Sequence, residues 1–176
     1  MKIAIIFGTT EGQTQKICQF AMDALTAEGH SVALMPAAAA AGVTLDAFDA
    51  AILGASVHAG RYQSDLVAFA KAHAEELNGL SKSLFISVSL AAAGNDPDDL
   101  AGIALIARHF RDETGWSPER TEQVAGAFRF SEYDFLKYWA MRWIEAQKDP
   151  ASKPGEDREY TDWESLRQNL HDWTAS

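Results

Sequence analysis

The chain has 176 residues, 25 acidic against 15 basic side chains, and a formal net charge of −10. This length favours a single domain, and 47% apolar with 23% charged residues exclude a disordered or collagen-like chain. The negative charge argues against general nucleic-acid binding, which needs a basic face, and limits contact with anionic lipid to a peripheral one.

The single cysteine, Cys18, forms no internal disulfide, so an intracellular, cytoplasmic protein is expected. No stretch approaches the ~18 consecutive apolar residues of a membrane-spanning helix. The two halves differ. Residues 1–90 carry 5 bases and 8 acids, residues 91–176 carry 10 and 17, and all five tryptophans lie in the second half.

In chain order, short apolar runs alternate with amphipathic helical stretches, the pattern of a parallel sheet. Residues 3–7 read as a strand buried on both faces, hence continuously apolar. The next helix puts Ile17, Phe20, Ala21, Ala24 and Leu25 on one face and ends at Gly29. Cys18 falls one residue off that face, as a semi-buried packing residue. Residues 31–35 form a second strand and 50–53 a third, stopped by Gly54. A helix runs from an N-cap at Ser64 to Leu77, ended by Asn78-Gly79. Residues 84–88 form a fourth strand, 97–114 a helix and 123–127 a fifth strand. A capping box at Thr161-Asp162-Trp163-Glu164 opens the last helix. The expected fold is α/β, a three-layer, doubly wound sheet of five parallel strands formed by residues 1–176 as one domain.

Such sheets bind ligands beyond the carboxyl ends of their strands. After strand one comes Gly8-Thr9-Thr10-Glu11-Gly12-Gln13-Thr14. Its glycines admit an anion, its threonines offer hydroxyls, and the helix start supplies free N–H groups. A phosphate cradle without lysine is expected. The loop lacks the GK[ST] ending of a Walker A motif and the spacing of GxGxxG. After strand three, Ser56-Val57-His58-Ala59-Gly60-Arg61-Tyr62 offers an imidazole, a guanidinium and a phenol between glycines. After strand four come Ser87-Val88-Ser89-Leu90-Ala91, small and apolar. No second histidine or cysteine lies at ligand spacing from His58, so no metal site is expected.

The first loop resembles the [ST]-x-[TDE]-G-x-T phosphate loop of flavodoxins, with Thr9, Thr10, Gly12, Gln13 and Thr14 on the pattern. That resemblance implies FMN as cofactor and the strand order 2-1-3-4-5. It assigns the phosphate to residues 9–14, with Glu11 turned to solvent and contributing its amide. It places Ser56, Val57, His58, Ala59, Gly60 and Tyr62 against the flavin ring, with Tyr62 or His58 either stacking on it or holding a substrate carboxylate. Ser87, Val88, Ser89, Leu90 and Ala91 would meet the pyrimidine edge through backbone amides.

Further segments look closer to menaquinone-dependent protoporphyrinogen IX dehydrogenases: Gly54-Ala55-Ser56 with Gly60 and Tyr62, Ser87-Val88-Ser89-Leu90, residues 125–130 and residues 160–164. This resemblance implies an insertion at 128–159. It holds Phe128, Phe130, Tyr133, Phe135, Tyr138, Trp139 and Trp143, with a helix over 132–147. Arg61, Arg129, Tyr133, Tyr138, Trp139 and Arg142 would face a planar porphyrinogen or a partner. The implied activity takes hydride from a porphyrinogen onto FMN and passes electrons to a quinone, as in heme biosynthesis. Where that family carries bases after strand four, this chain has Asp96, Asp98 and Asp99. Two other readings stay open. One is a one-electron carrier docking on a redox partner protein; the other is an interaction domain with a lapsed flavin site.

Overall fold

A computed structural model describes residues 1–94, 96–128 and 158–176. The sheet has five parallel strands: β1 (Lys2–Gly8), β2 (Ser31–Pro36), β3 (Ala50–Ser56), β4 (Lys82–Ser89) and β5 (Arg120–Ala125). Their order is β2-β1-β3-β4-β5, as expected from the sequence. One row crosses it in register through Met35, Ile6, Leu53, Phe85 and Thr121. The helices are α1 (Gln13–Ala27), α2 (Ser64–Ala72), α3 (Ala74–Gly79), α4 (Pro97–Thr114) and α5 (Trp163–Ala175).

Alternation along β1 divides the core into two layers. Ile3, Ile5 and Phe7 pack with Ile17, Ala21 and Leu25 of α1 and with Leu166, Leu170 and Trp173 of α5. Ala4 and Ile6 face Leu66 and Phe69 of α2, Ala107 and Phe110 of α4, and Trp116. The tryptophan bias thus has a structural use: Trp116 and Trp173 are fully buried, one anchor in each layer. Trp163 is half-buried, its ring 4.8 Å from Phe20, with Lys16 above it. Trp139 and Trp143 lie outside the described residues.

Several local expectations are corrected. Gly54 does not stop β3; it sits inside the strand, and a Cβ there would overlap the Cys18 sulfur. Its role is close approach of α1 to the sheet. Cys18 is consequently fully buried rather than semi-buried, and burial pushes its thiol pKa up to about 12. The helix expected over 64–77 is two helices, because His73 leaves helical geometry at φ −111° and ψ 18°. The residue preceding α2 is Gln63, with no side-chain cap, while Ser64 is already helical. The cap of α5 is Asp162, whose Oδ1 accepts from the Ser165 N–H at 2.9 Å; Thr161 stands outside the helix. The fifth strand begins at Arg120 and ends at Ala125.

Beyond it, β6 (Ala127–Phe128) pairs antiparallel with β7 (Arg158–Glu159), Ala127 opposite Glu159. The helix expected over 132–147, and the candidates Arg129, Tyr133, Tyr138, Trp139 and Arg142, lie outside the described residues. Among the described residues no helix is long and apolar enough to cross a membrane.

Candidate cofactor site

The chain leaves β1 at Gly8, where a Cβ would press on Gln63 and Leu66 of the overlying α2 start. The Gly12 N–H donates to the Thr9 hydroxyl at 2.9 Å, closing the loop on itself. Gly12 then stands at φ 83°, a left-handed conformation suited to glycine, and no side chain caps α1. The first amides of a helix have no intrahelical acceptor, so this end presents N–H groups and the positive end of the dipole. Directly behind them Thr14 is fully buried, and its hydroxyl has no hydrogen-bond partner. An orphaned buried hydroxyl at an uncapped helix start is an arrangement suited to binding an anion.

The turn after β3 crosses in front of this loop. Val57 N–H donates to the Val88 carbonyl at 2.8 Å, carrying the edge of the sheet one residue further. His58 and Arg61 then exchange backbone hydrogen bonds of 2.8 and 3.0 Å around Ala59 (φ 48°) and Gly60 (φ 77°). Two consecutive positive φ values define a tight primed turn, for which Asn-Gly is the favoured pair. Alanine there carries a left-handed penalty of roughly 1–2 kcal/mol. Ala59→Asn is therefore expected to raise stability by about 1 kcal/mol in urea titrations, and a fall would contradict the assigned turn geometry.

Thr9, Thr10, Glu11, Gln13, Ser56, Val57, His58, Val88, Ser89, Leu90, Gly126 and Ala127 line one cavity of about 90 Å³, room for a phosphate-sized group. Three separated candidate segments thus converge. Glu11 is half-buried on this wall. Not every candidate faces the cavity. The Tyr62 ring is buried edge-on to Phe85 and Phe110, and its hydroxyl lies 2.8 Å from Ser87 Oγ. Ser87 is likewise fully buried, and burial pushes the Tyr62 phenol up to about 12. Tyr62 is a packing residue of the α2–α4 layer, which corrects the expectation that it stacks on a flavin. The amide of Ala91 is already committed, donating to Ser89 Oγ at 3.2 Å. Arg61 lines a different cleft of about 600 Å³ between α2 and α4, with Val67, Ile106, His109, Phe110 and Glu113. That cleft is larger but contains none of the residues 9–14.

The sequence reading passed over Gln63, whose side chain joins Thr10 to Ser56, and the segment that closes the loop from behind. Gln13 Nε2 donates to Glu159 Oε1 (3.0 Å) and Thr161 Oγ1 (3.1 Å), while Lys16 pairs with Glu159 at 2.7 Å. Thr161 in turn donates to the Ala125 carbonyl at 2.7 Å. The Gln13 side chain is thus spent on fastening α1 to the chain that returns after residue 157. Lys16 and, secondarily, Gln13 hold the Glu159 carboxyl below the ordinary range, as the Ser165 amide and hydroxyl do for Asp162. Because both folded pKa values are depressed, these contacts stabilise the fold fully above the ordinary carboxylate range and fade as pH falls through the lowered values. Amide-exchange protection at Ser165 and Leu166 is expected to hold at neutral pH and drop first below about pH 4. Protection unchanged into the global acid transition would contradict this.

Residues 4–153 match the model of the flavodoxin domain family. The chain belongs to that family. It is 28% identical over 166 residues to the protoporphyrinogen IX dehydrogenase [quinone] of Escherichia coli K12, covering 94% of this chain and 91% of that protein. The protein of that name from Leishmania major is 27% identical over 128 residues, covering 73% of this chain and 54% of its own. Among solved structures, the flavodoxin of Streptococcus pneumoniae TIGR4 superposes with a TM-score of 0.59 at 17% identity, over 99% of both chains. Oxidised flavodoxin 1 of Bacillus cereus gives 0.59 at 14%, over 99% and 98%. Family membership implies FMN, and the residues fit it: the first turn of α1 is uncapped and holds the orphaned Thr14 hydroxyl, and Thr9, Thr10, Glu11 and Gln13 of the same loop line a phosphate-sized cavity.

Proposed function

We propose that this flavodoxin-domain protein is an FMN-dependent dehydrogenase that oxidises a porphyrinogen-like tetrapyrrole and delivers the electrons to a quinone. The observation that carries the reading is the likeness to the Escherichia coli protoporphyrinogen IX dehydrogenase over almost the whole of both chains, not over the flavin loop alone.

The bound flavin supplies the hydride and electron chemistry. The protein's part is binding and exclusion. The amides at the start of α1, with the hydroxyls of Thr10, Thr14 and Ser56, would hold the phosphate; Thr9 accepts from the Gly12 N–H, which shapes the loop and leaves its own hydrogen to donate. Val57, Val88 and Leu90 supply an apolar wall beside it, and His58 a polar group on its edge. Flat ring systems are held by such faces with few polar fixtures. Arg61, with exposed His109 in the same cleft across the Ala59–Gly60 turn, is the cation placed to meet propionate-type carboxylates. Arg129 and Arg142 are proposed for the same role on sequence grounds.

The test is anaerobic addition of protoporphyrinogen to the FMN-loaded protein. Bleaching of the flavin band, tetrapyrrole oxidation and recovery of the band on adding menaquinone are expected. A flavin that tetrapyrrole leaves oxidised, yet which exchanges electrons with a flavodoxin reductase, would overturn the reading in favour of an electron carrier. The net charge of −10 would suit that role.

A further inference from the structure

The Gln63 side chain lies between the two loops of the cradle and makes three hydrogen bonds. Its Nε2 donates to Thr10 Oγ1 at 3.1 Å and to Ser56 Oγ at 2.8 Å, and its Oε1 accepts from the Ser56 N–H at 3.3 Å. The bond from the Ser56 amide fixes which end of the carboxamide is oxygen, so both hydrogens of Nε2 go to the hydroxyls. A hydroxyl has one hydrogen to give and two lone pairs. Thr10 and Ser56 each spend a lone pair on Gln63, so each keeps its own hydrogen free. Both residues line the cavity.

We infer that Gln63 is a positioning residue that sets the polarity of the anion site: by donating to Thr10 and Ser56, it leaves both hydroxyls as donors toward a phosphate. Unsupported hydroxyls would rotate freely, and most of their staggered orientations would present lone pairs to the anion. Gln63 also couples the phosphate loop to the turn after β3, because Thr10 and Ser56 belong to different segments joined through one carboxamide. Its backbone leads directly into α2, so the device is carried by a rigid element. Gly8 is what lets it fit, since a Cβ at that position would meet Gln63 Cβ at 2.9 Å and Oε1 at 3.2 Å. The assignment rests on the FMN reading of this cavity, and it predicts an effect confined to the phosphate.

The experiment compares FMN with riboflavin, which lacks the phosphate, by quenching of flavin fluorescence in phosphate-free buffer. Gln63→Leu removes both donors at similar volume. It is expected to weaken FMN about ten-fold, the scale of a hydrogen bond to a charged group, while riboflavin affinity stays within about two-fold. Gln63→Glu reverses the device. Its carboxylate accepts from the hydroxyls instead of donating to them, so both hydrogens turn away from the anion. Its FMN affinity, taken as a ratio to wild type at each pH because the FMN phosphate itself gains a proton near about pH 6 and Glu11 and His58 line the same cavity, should fall further at pH 8 and recover toward pH 5, as the carboxylate gains a proton to donate; the Gln63→Leu ratio should stay flat. Equal losses for FMN and riboflavin in Gln63→Leu, or no loss for either, would overturn the inference. A Gln63→Glu variant whose FMN affinity relative to wild type ignores pH would also overturn it. Wild-type protein that binds neither flavin would instead sink the FMN reading itself, so the two failures are distinguishable. Thermal unfolding of each flavin-free variant, expected within a few degrees of wild type, separates the polarity effect from loss of fold.

Discussion

Gly54→Ala is expected to destabilise the protein by about 3 kcal/mol, a large cost for one methyl group. The added Cβ would overlap the Cys18 sulfur and lie 3.5 Å from Thr14 Cγ2 and 3.8 Å from Phe7 Cβ, so it is walled in on every side that matters. Cys18 cannot retreat, because it is fully buried in the layer between α1 and the sheet. The strain must therefore be met by lifting α1, whose first turn is the proposed anion site. Urea titration measures the loss, and a double-mutant cycle identifies its cause. Cys18→Ala alone should cost about 1 kcal/mol, and the double variant should recover more than half of the Gly54→Ala loss, because the atom that clashes is gone. Simple additivity would show that the clash is not the source.

Thr14→Val is expected to change stability and binding in opposite directions. The Thr14 hydroxyl is fully buried with no partner, and an unsatisfied buried group of this kind costs about 1–3 kcal/mol. Replacing it with a methyl of similar shape should make the flavin-free protein more stable by about 1 kcal/mol. As the proposed phosphate ligand, Thr14 would lose with the same change a hydrogen bond to a charged group, worth about 2 kcal/mol, so FMN affinity should drop roughly thirty-fold. Urea titration without flavin gives the first number and fluorescence quenching the second. A variant that is less stable, or one that binds FMN undiminished, would mean that the hydroxyl serves the fold rather than the ligand.

These two residues also show what a sequence reveals and what it hides. The parallel sheet was legible because βαβ alternation is a local signal, its strand order followed from the resemblance of the first loop to flavodoxins, and the glycine- and threonine-rich turn after a buried strand marked where a site is to be sought. Gly54 was misread as a strand terminus because a glycine required by a neighbouring helix looks, in one dimension, like a breaker. Cys18 inherited the same error: its burial depends on Gly54 opening space across 36 positions of chain. Tyr62 lies in a loop among candidate ligands, yet its ring turns into the core to meet Phe85, Phe110 and Ser87, partners that no spacing rule connects to it. Gln63 was overlooked because glutamine before a helix fits no capping pattern. Its departure from Ser, Thr, Asp or Asn at that position was the available signal.

The two-residue ribbon of β6 and β7 has a consequence for how this chain varies. Phe128 and Arg158 are opposite one another, so the chain leaves and re-enters the fold at points one strand spacing apart. The ribbon is fastened to α1 and to the end of β5 by the Gln13, Lys16 and Thr161 contacts. Two ends held one strand spacing apart can close a connection at a cost that grows slowly with its length, about 0.6 kcal/mol per doubling for a flexible chain. The points of exit and return beside the candidate cradle are therefore set by the described residues alone. A lineage could rewrite what the protein touches there while leaving untouched the machinery that holds its cofactor.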